Sequence, residues 1–177
     1  MKTLRTYSDF KDIVFDKKEV AISKEAKVLI EESYAFLKDF AENKIIYGVN
    51  TGFGPMAQYR IEKEDQLQLQ YNLIRSHSSG LGEVFDEETV RAAILCRLTS
   101  LSLGKSGVHI EAIELMRDLL NYRITPLIFQ HGGVGASGDL VQLAHLALVL
   151  IGEGEVFYKG ALDVAKDNIE ANCKLTI

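Results

Sequence analysis

Residues 132–140, Gly-Gly-Val-Gly-Ala-Ser-Gly-Asp-Leu, combine small residue types whose backbone could react with itself. Gly138 has no Cβ, so its amide nitrogen can approach the carbonyl carbon of Ala136 without the usual steric block. Attack by that nitrogen would close a five-membered ring through the backbone. Loss of water from Ser137 would then leave a dehydroalanine, an electrophilic alkene that none of the twenty side chains supplies. The stretch therefore suggests an electrophile made by the chain itself.

Other known glycine-rich motifs match residues 132–140 less well. Residues 133–138 match the dinucleotide fingerprint G-x-G-x-x-G, but a Rossmann unit needs a buried strand directly before its glycines. Here residues 124–129 contain Pro126, and the upstream pattern is helical. A phosphate-binding loop would need a following Gly-Lys-Ser/Thr, and the G-x-S-x-G nucleophile elbow fails at Asp139. A plain turn that begins a helix remains the alternative.

Two further segments carry residues suited to a site. Residues 47–54, Tyr-Gly-Val-Asn-Thr-Gly-Phe-Gly, place Tyr47 before three glycines, which suggests a backbone that approaches something closely. Alone, Tyr47 could simply pack its ring and form one hydrogen bond. Residues 75–80, Arg-Ser-His-Ser-Ser-Gly, place His77 at a predicted helix end, where a lone histidine is more often a cap or a surface residue.

Taken together, the three segments resemble the signatures of the aromatic amino acid ammonia-lyases, which include the histidine, phenylalanine and tyrosine ammonia-lyases. The matching stretches are residues 47–54, residues 72–80 and residues 135–140. They occur in the family's order, and the resemblance covers about residues 20–160. The Ala-Ser-Gly triplet followed by Asp-Leu is the most specific of the three.

The resemblance implies that residues 136–138 condense into a 4-methylidene-imidazol-5-one (MIO) prosthetic group, with no external cofactor and no metal. It implies that Tyr47 moves a proton at the β-carbon of the substrate, and that His77 and Gly54 bind substrate. That proton is weakly acidic, so strong activation is required. A helix that opens at Asp139 would place a positive helix end beside the electrophile, which favours developing negative charge.

His77 matches the family position linked to side-chain selectivity. A histidine can hydrogen-bond a phenol or an imidazole, and a polar site rejects analogues that lack the matching group. We therefore expect elimination of ammonia from tyrosine or histidine, giving coumarate or urocanate. Residues 55–59 and 74–77 look closer to bacterial tyrosine-type members, and Val141-Gln142 departs from the Ala-Pro of many histidine-type members. An aminomutase with the same group remains an alternative.

The chain has 177 residues, whereas family members continue for several hundred more and build their active sites from several subunits of a tetramer. We expect one domain over residues 1–177, the MIO-bearing N-terminal part of such a homo-oligomeric lyase. The sequence pattern does not assign residues 161–177 to an element. A truncated assembly domain without catalysis is the alternative.

Composition narrows the class of partner. Apolar residues make up 47% and charged residues 25% of the chain, as in ordinary globular proteins. A net charge of −5 without a basic stripe argues against nucleic acid and anionic membranes as partners.

Cys96 and Cys173 lack metal or disulfide spacing, which suits a reducing cytosol. The most apolar run, residues 143–151, contains His145 and is too short to span a bilayer. We expect a cytoplasmic protein that acts on a small aromatic amino acid.

Helices must position these segments, because the apolar residues recur mainly at helical spacing. We predict a mainly α fold of long helices, glycine-rich loops and a few short strands, and by resemblance the N-terminal part of the fumarase/aspartase-like ammonia-lyase fold. The predicted helices run from Ser23 to about Asn43, over about 62–78, from Asp86 to Gly104, over about 109–121, and onward from Asp139. Residues 45–49 and 155–160 are predicted to be extended.

Overall fold

The computed structural model describes residues 6–133 and 140–173. Within these ranges the helices are α1 Tyr7–Val14, α2 Lys24–Glu42, α3 Lys63–His77, α4 Glu87–Leu101, α5 Ile110–Tyr122, α6 Leu140–Leu150 and α7 Ala165–Cys173. The strands are β1 Leu81–Val84, β2 Thr125–Pro126, β3 Phe129–His131, β4 Glu155–Tyr158 and β5 Ala161–Val164. A single 3₁₀ turn within the described ranges covers Gly54–Met56. The predicted mainly helical class is confirmed.

Side-chain caps set the starts of two long helices. The hydroxyl of Ser23 accepts a hydrogen bond from the backbone N–H of Ala26 at 3.2 Å, where α2 begins. A carboxylate oxygen of Asp86 accepts from the N–H of Thr89 at 2.7 Å, where α4 begins. Each cap satisfies a backbone donor that has no partner inside its helix. Both caps were predicted from the sequence and are confirmed.

Two small antiparallel sheets join the helices. One pairs β1 with β3, with Leu81 opposite His131 and Val84 opposite Phe129. The other has the strand order β2-β4-β5. Because β1 follows α3 and β3 precedes residues 134–139, the first sheet brings the end of α3 beside the entry to the glycine-rich loop.

The hydrophobic core of the described residues lies mainly between α4 and α5 and extends to β4 and α7. Its fully buried members include Leu95, Leu98, Leu119, Val156, Ala165 and Ile169. Within this core Arg91 of α4 is 2% exposed. Its guanidinium donates to the carbonyls of Ile13 at 2.8 Å, Leu120 at 2.9 Å and Val14 at 3.2 Å. These carbonyls lie in the last turns of α1 and α5, so Arg91 caps two helix ends at once.

Several parts of the chain differ from the sequence predictions or go beyond them, and strands β1, β2 and β3 are among them. The prediction of an extended segment over residues 45–49 is wrong, because the chain turns at residues 47–49. The tail that the pattern could not place forms β5 and α7 as far as Cys173. Residues 7–14, to which the pattern gave no element, form α1.

Candidate functional site

The segment that carries Tyr47 is organised around Asn50, whose side chain is buried. The amide oxygen of Asn50 accepts from the N–H of Ile46 at 2.8 Å. Its amide nitrogen donates to the carbonyls of Lys44 at 2.7 Å and Ala41 at 3.1 Å. One amide therefore joins the N–H of Ile46 to two carbonyls at and just after the end of α2, and these local bonds favour a turn over a strand here.

Tyr47 lies at the surface of this turn, with 63% of its area exposed. Its hydroxyl oxygen accepts a hydrogen bond from the N–H of Gly54 at 3.2 Å. Its ring packs edge-to-face on Phe53, with centroids 5.9 Å apart. Gly54 has φ +54°, a left-handed conformation that favours glycine, and it begins the 3₁₀ turn. The predicted residues Tyr47 and Gly54 are thus in direct contact.

His77 ends α3 and is half-buried. Its Nδ1 lies 2.9 Å from the carbonyl oxygen of Leu73. A carbonyl can only accept, so this contact assigns the ring proton to Nδ1. Among the described residues Nε2 of His77 has no hydrogen-bond partner. In the neutral ring that nitrogen keeps a lone pair that a ligand hydroxyl or N–H could use.

Helix α3 connects the Tyr47 segment to His77. The side-chain amide of Gln70 donates to the carbonyl of Gly48 at 3.2 Å. Gln70 and His77 are two turns apart on α3 and therefore share one face of the helix. Helix α3 thus holds the segment that begins at Tyr47 and also carries His77 at its end.

The end of α3 is also joined to both flanks of the glycine-rich loop. The N–H of Gly80 donates to Nε2 of His145, on α6, at 3.1 Å. A Cβ placed on Gly132, which has φ +143°, would lie 3.1 Å from the Cα of Gly80 and 2.8 Å from Cγ1 of Val141. Gly132 precedes the loop and Val141 follows it, so both flanks meet beside Gly80.

The predicted residues Ala136, Ser137, Gly138 and Asp139 lie outside the described residues. Their neighbours in the chain are described, and they place the entry and the exit of this loop next to α3. Gln142 of α6 also donates to the carbonyl of Gln130, in β3, at 3.2 Å. The departure from the family pattern at this position therefore serves to hold α6 to the β1–β3 sheet.

A second link between α3 and the far end of α6 is an exposed ion pair. Nε of Arg75 lies 2.9 Å and 3.2 Å from the two carboxylate oxygens of Glu153, and Nη2 also contacts this carboxylate. Hydrogen bonding to Arg75 lowers the pKa of Glu153, and the same contact raises the pKa of Arg75. The pair is exposed, so it orients α3 more than it stabilises the fold.

Four residues of this site escaped the sequence argument: Asn50, Gln70, Gly80 and His145. For His145 a signal was present, because it is a histidine inside an otherwise apolar run. Burial lowers the pKa of His145, which favours its neutral ring. Gln70 and Gly80 have partners 22 and 65 residues away, whereas Asn50 bonds backbone groups four to nine residues before it. In each of the three, residue type alone does not specify the partner.

In residues 6–133 and 140–173 no group of three or more His, Cys, Asp or Glu side chains is placed to hold a metal ion. None of the helices in the same ranges is long and apolar enough to cross a membrane.

Comparison with known proteins identifies the class. Residues 5–174 match the family model described as aromatic amino acid lyase. Histidine ammonia-lyase of Bacillus velezensis is 47% identical over 157 residues, which are 88% of this chain and 31% of that protein. The ergothioneine-degrading enzyme ergothionase of Treponema denticola superposes with a TM-score of 0.90 at 30% identity, over 97% of this chain and 34% of that one. Tyrosine aminomutase of Streptomyces globisporus gives a TM-score of 0.85 at 34% identity, over 95% of this chain and 32% of that one.

The helical fold is thus that of ammonia-lyases and aminomutases. The chain belongs to the aromatic amino acid lyase family, a family of carbon–nitrogen lyases. It spans about a third of the length of the curated relatives it matches. The family resemblance predicted from the three sequence segments is confirmed.

Proposed function

We propose that residues 1–177 form the MIO-bearing N-terminal part of a lyase that eliminates ammonia from an aromatic L-amino acid. One observation carries this proposal. Helix α3 holds the Tyr47 segment through Gln70, and the Gly80 segment that follows the helix touches both flanks of the Ala-Ser-Gly loop. A proton-transfer group, a polar ring-binding group and the electrophile's loop thus share one support.

The surroundings of the loop fit a prosthetic group formed from residues 136–138. Gly80 and Gly132 approach each other so closely that a Cβ on Gly132 would nearly touch the Cα of Gly80, at 3.1 Å. Helix α6 begins at Leu140, so the loop leads into its N-terminal end, where free N–H groups favour negative charge. When formed, the group supplies an electrophilic alkene that permits the loss of ammonia.

Tyr47 is proposed to move the proton at the β-carbon. Its oxygen accepts the N–H of Gly54, and among the described residues its own O–H has no acceptor. To take the β-proton the phenol must first give up its own proton to solvent or to a group of the complete site. The contact with Phe53 limits the directions in which the ring can lie. A tyrosine held by one backbone donor and one aromatic neighbour is a suitable acid–base group, provided substrate brings the β-carbon within hydrogen-bond reach.

His77 is proposed to select the substrate ring, and Gly54 to contact the substrate where the turn has positive φ. With its proton on Nδ1, His77 offers Nε2 as an acceptor for an imidazole N–H or a phenol O–H. Relatives from Bacillus and Geobacillus at 46–47% identity are histidine ammonia-lyases. We therefore propose L-histidine as the first substrate to test, with urocanate as product, and L-tyrosine as the second.

The rest of the assembly belongs to the same proposal. Residues 1–177 would form one domain, and the complete site would include residues from other parts of a homotetramer in the cytoplasm. The match to tyrosine aminomutase keeps β-amino acid formation as a second candidate reaction. A truncated assembly domain would have the same fold without turnover.

Intact mass spectrometry tests formation of the prosthetic group. Cyclisation and dehydration remove two water molecules, so the folded wild-type chain should be lighter than its sequence by that mass. Ser137→Ala should lose no water. A wild-type chain at full sequence mass would contradict the proposed group, and turnover would then need another explanation.

Turnover tests the roles of the side chains. Tyr47→Phe in the full polypeptide that carries residues 1–177 should lower kcat by about 10²–10⁴-fold, as expected for loss of an acid–base group. Its stability should change by less than about 1 kcal/mol, because one exposed hydrogen bond is lost. Tyr59→Phe is the matched control, since Tyr59 is a similarly exposed tyrosine of the same loop.

Product analysis separates the candidate reactions. Incubation with L-histidine and L-tyrosine, each followed for the 2-enoate and the β-amino acid, distinguishes a lyase from an aminomutase. Equal rates for wild type and Tyr47→Phe would contradict the proposed role of Tyr47. Absence of both products from the wild-type protein would favour the assembly domain.

A further inference from the structure

A buried histidine outside the predicted site holds the end of α3 in place. His145 of α6 is 8% exposed and lies five residues after the helix begins. Its Nε2 accepts the N–H of Gly80 at 3.1 Å across 65 residues of sequence. Gly80 follows His77 by three residues, so this bond fixes the chain directly after the proposed ring-selecting side chain.

We propose that His145 is a positioning residue for the proposed reaction: by accepting the Gly80 N–H it sets the position of His77 relative to α6, the helix that follows residues 136–138 in the chain. This inference rests on the proposed function. His145 touches no substrate in the proposal and acts through the backbone of residues 78–80.

The surroundings of His145 leave its ring little freedom. Phe129 of β3 packs edge-to-face on the imidazole, with centroids 5.4 Å apart and an interplanar angle of 63°. A Cβ on Gly80 would lie 2.8 Å from Nε2 of His145 and 2.9 Å from Cβ of Phe129. The glycine therefore allows its own N–H to reach the ring, and any larger residue would push the two apart.

The chemistry of the bond requires a neutral ring with its proton on Nδ1. A backbone N–H can only donate, so Nε2 must carry a lone pair. Burial without an ionised partner favours the uncharged imidazole, in agreement with this requirement. An apolar side chain would fill the same space in the apolar run, but it would leave the Gly80 N–H without an acceptor among the described residues.

The consequence is a predicted effect on substrate selection. A shift of about 1 Å in a group that orients substrate can cost about 10²-fold in rate. Loss of the bond would allow residues 77–80 to move relative to α6, and with them the ring nitrogen of His77. Discrimination between a substrate with a polar ring and one with a phenyl ring should then weaken, because it depends on that nitrogen.

The test uses three substitutions in the full polypeptide that carries residues 1–177. His145→Leu removes the acceptor and keeps an apolar fill. In His145→Gln the amide oxygen can reach the place of Nε2, and in His145→Asn the shorter side chain cannot. The readout is the ratio of kcat/KM for L-histidine, or for L-tyrosine if that is the substrate, to kcat/KM for L-phenylalanine.

We expect the ratio to fall about 10-fold or more in His145→Leu and His145→Asn, mainly through KM for the polar substrate, and to be largely restored in His145→Gln. The mass loss of two waters should persist in all three. His131→Leu, at an exposed histidine of β3, is the control and should leave the ratio unchanged. If His145→Leu does not fold, the comparison of His145→Gln with His145→Asn still tests the positioning role.

A direct measurement separates this inference from the proposed function. An N–H···N hydrogen bond transmits a scalar coupling between the two nitrogens, here the amide of Gly80 and Nε2 of His145, which NMR of labelled protein can detect. The coupling should be present in the wild type. Its absence, or an unchanged ratio in an active His145→Asn variant, would overturn the positioning role while leaving the proposed function intact. Absence of turnover in the wild type would overturn both.

Discussion

Replacement of Gly80 by alanine gives the sharpest test of how α3, β3 and α6 meet. The added Cβ would lie 2.8 Å from Nε2 of His145, 2.9 Å from Cβ of Phe129 and 3.2 Å from the carbonyl oxygen of His131. The first two distances are shorter than the contacts that Cβ atoms make in real proteins. One neighbour is the imidazole of His145, which is hydrogen-bonded to the backbone, and the other is the Cβ atom of Phe129. Neither can yield without moving a helix or a strand.

The expected cost follows from three contributions. Overpacking of a filled site costs about 1–3 kcal/mol. Loss of the Gly80–His145 hydrogen bond adds about 1 kcal/mol. Because the φ of Gly80 lies outside the left-handed region, alanine carries no backbone strain and recovers about 0.4–1 kcal/mol by restricting the unfolded chain. We therefore expect Gly80→Ala to lower the free energy of unfolding by about 2 kcal/mol.

The assay is urea unfolding followed by far-UV circular dichroism, with Gly160→Ala as the control. A Cβ on Gly160 would have nothing within 4 Å, but its φ is +83°, so that variant reports backbone strain alone. A double-mutant cycle isolates the part of the Gly80→Ala cost that involves His145, the steric contact and the hydrogen bond together. In a His145→Ala background the nearest contact is gone, and Gly80→Ala should cost less. Equal costs in both backgrounds, or a cost below about 0.5 kcal/mol in the wild type, would refute the packing described here.

Three further perturbations have defined outcomes. Arg91→Met should lower the free energy of unfolding by about 3 kcal/mol or more, because three buried carbonyls lose their donor, and Arg91→Lys should recover only part of it. Asn50→Asp should destabilise by about 2 kcal/mol in urea unfolding, because a carboxylate cannot donate to two carbonyls. Burial raises the pKa of Cys173 from 9.0 to about 11, so between these pH values the folded thiol keeps a proton that the unfolded thiol loses. Stability should therefore fall by about 2 kcal/mol as pH rises from 9 to 11, and Cys173→Ala should remove that part of the slope.

Each of these outcomes has a result that would contradict it. A change below about 1 kcal/mol for Arg91→Met would mean that water satisfies the carbonyls of α1 and α5. An Asn50→Asp protein as stable as wild type at neutral pH would show that the turn does not depend on the amide donors. Identical pH profiles for wild type and Cys173→Ala between pH 9 and 11 would show that the thiol is open to water.

Local sequence determined most of the helices. Ser23 and Asp86 begin helices because their side chains accept hydrogen bonds from N–H groups three residues on, an interaction contained in one short stretch. Apolar spacing then indicates how far each helix continues. The family signatures are similarly local, since each lies within six to nine consecutive residues, and they suffice to identify the family.

Tertiary structure decided the rest of the site. Residues 45–49 have the apolar and β-branched composition of a strand, yet none of the described strands pairs with them, and the Asn50 amide ties Ile46 to the end of α2. The link from Gly80 to His145 joins residues 65 positions apart, and it exists because the β1–β3 pairing carries the end of α3 onto α6. Such contacts depend on which surfaces meet after folding, and residue type alone does not specify the partner of a buried polar group.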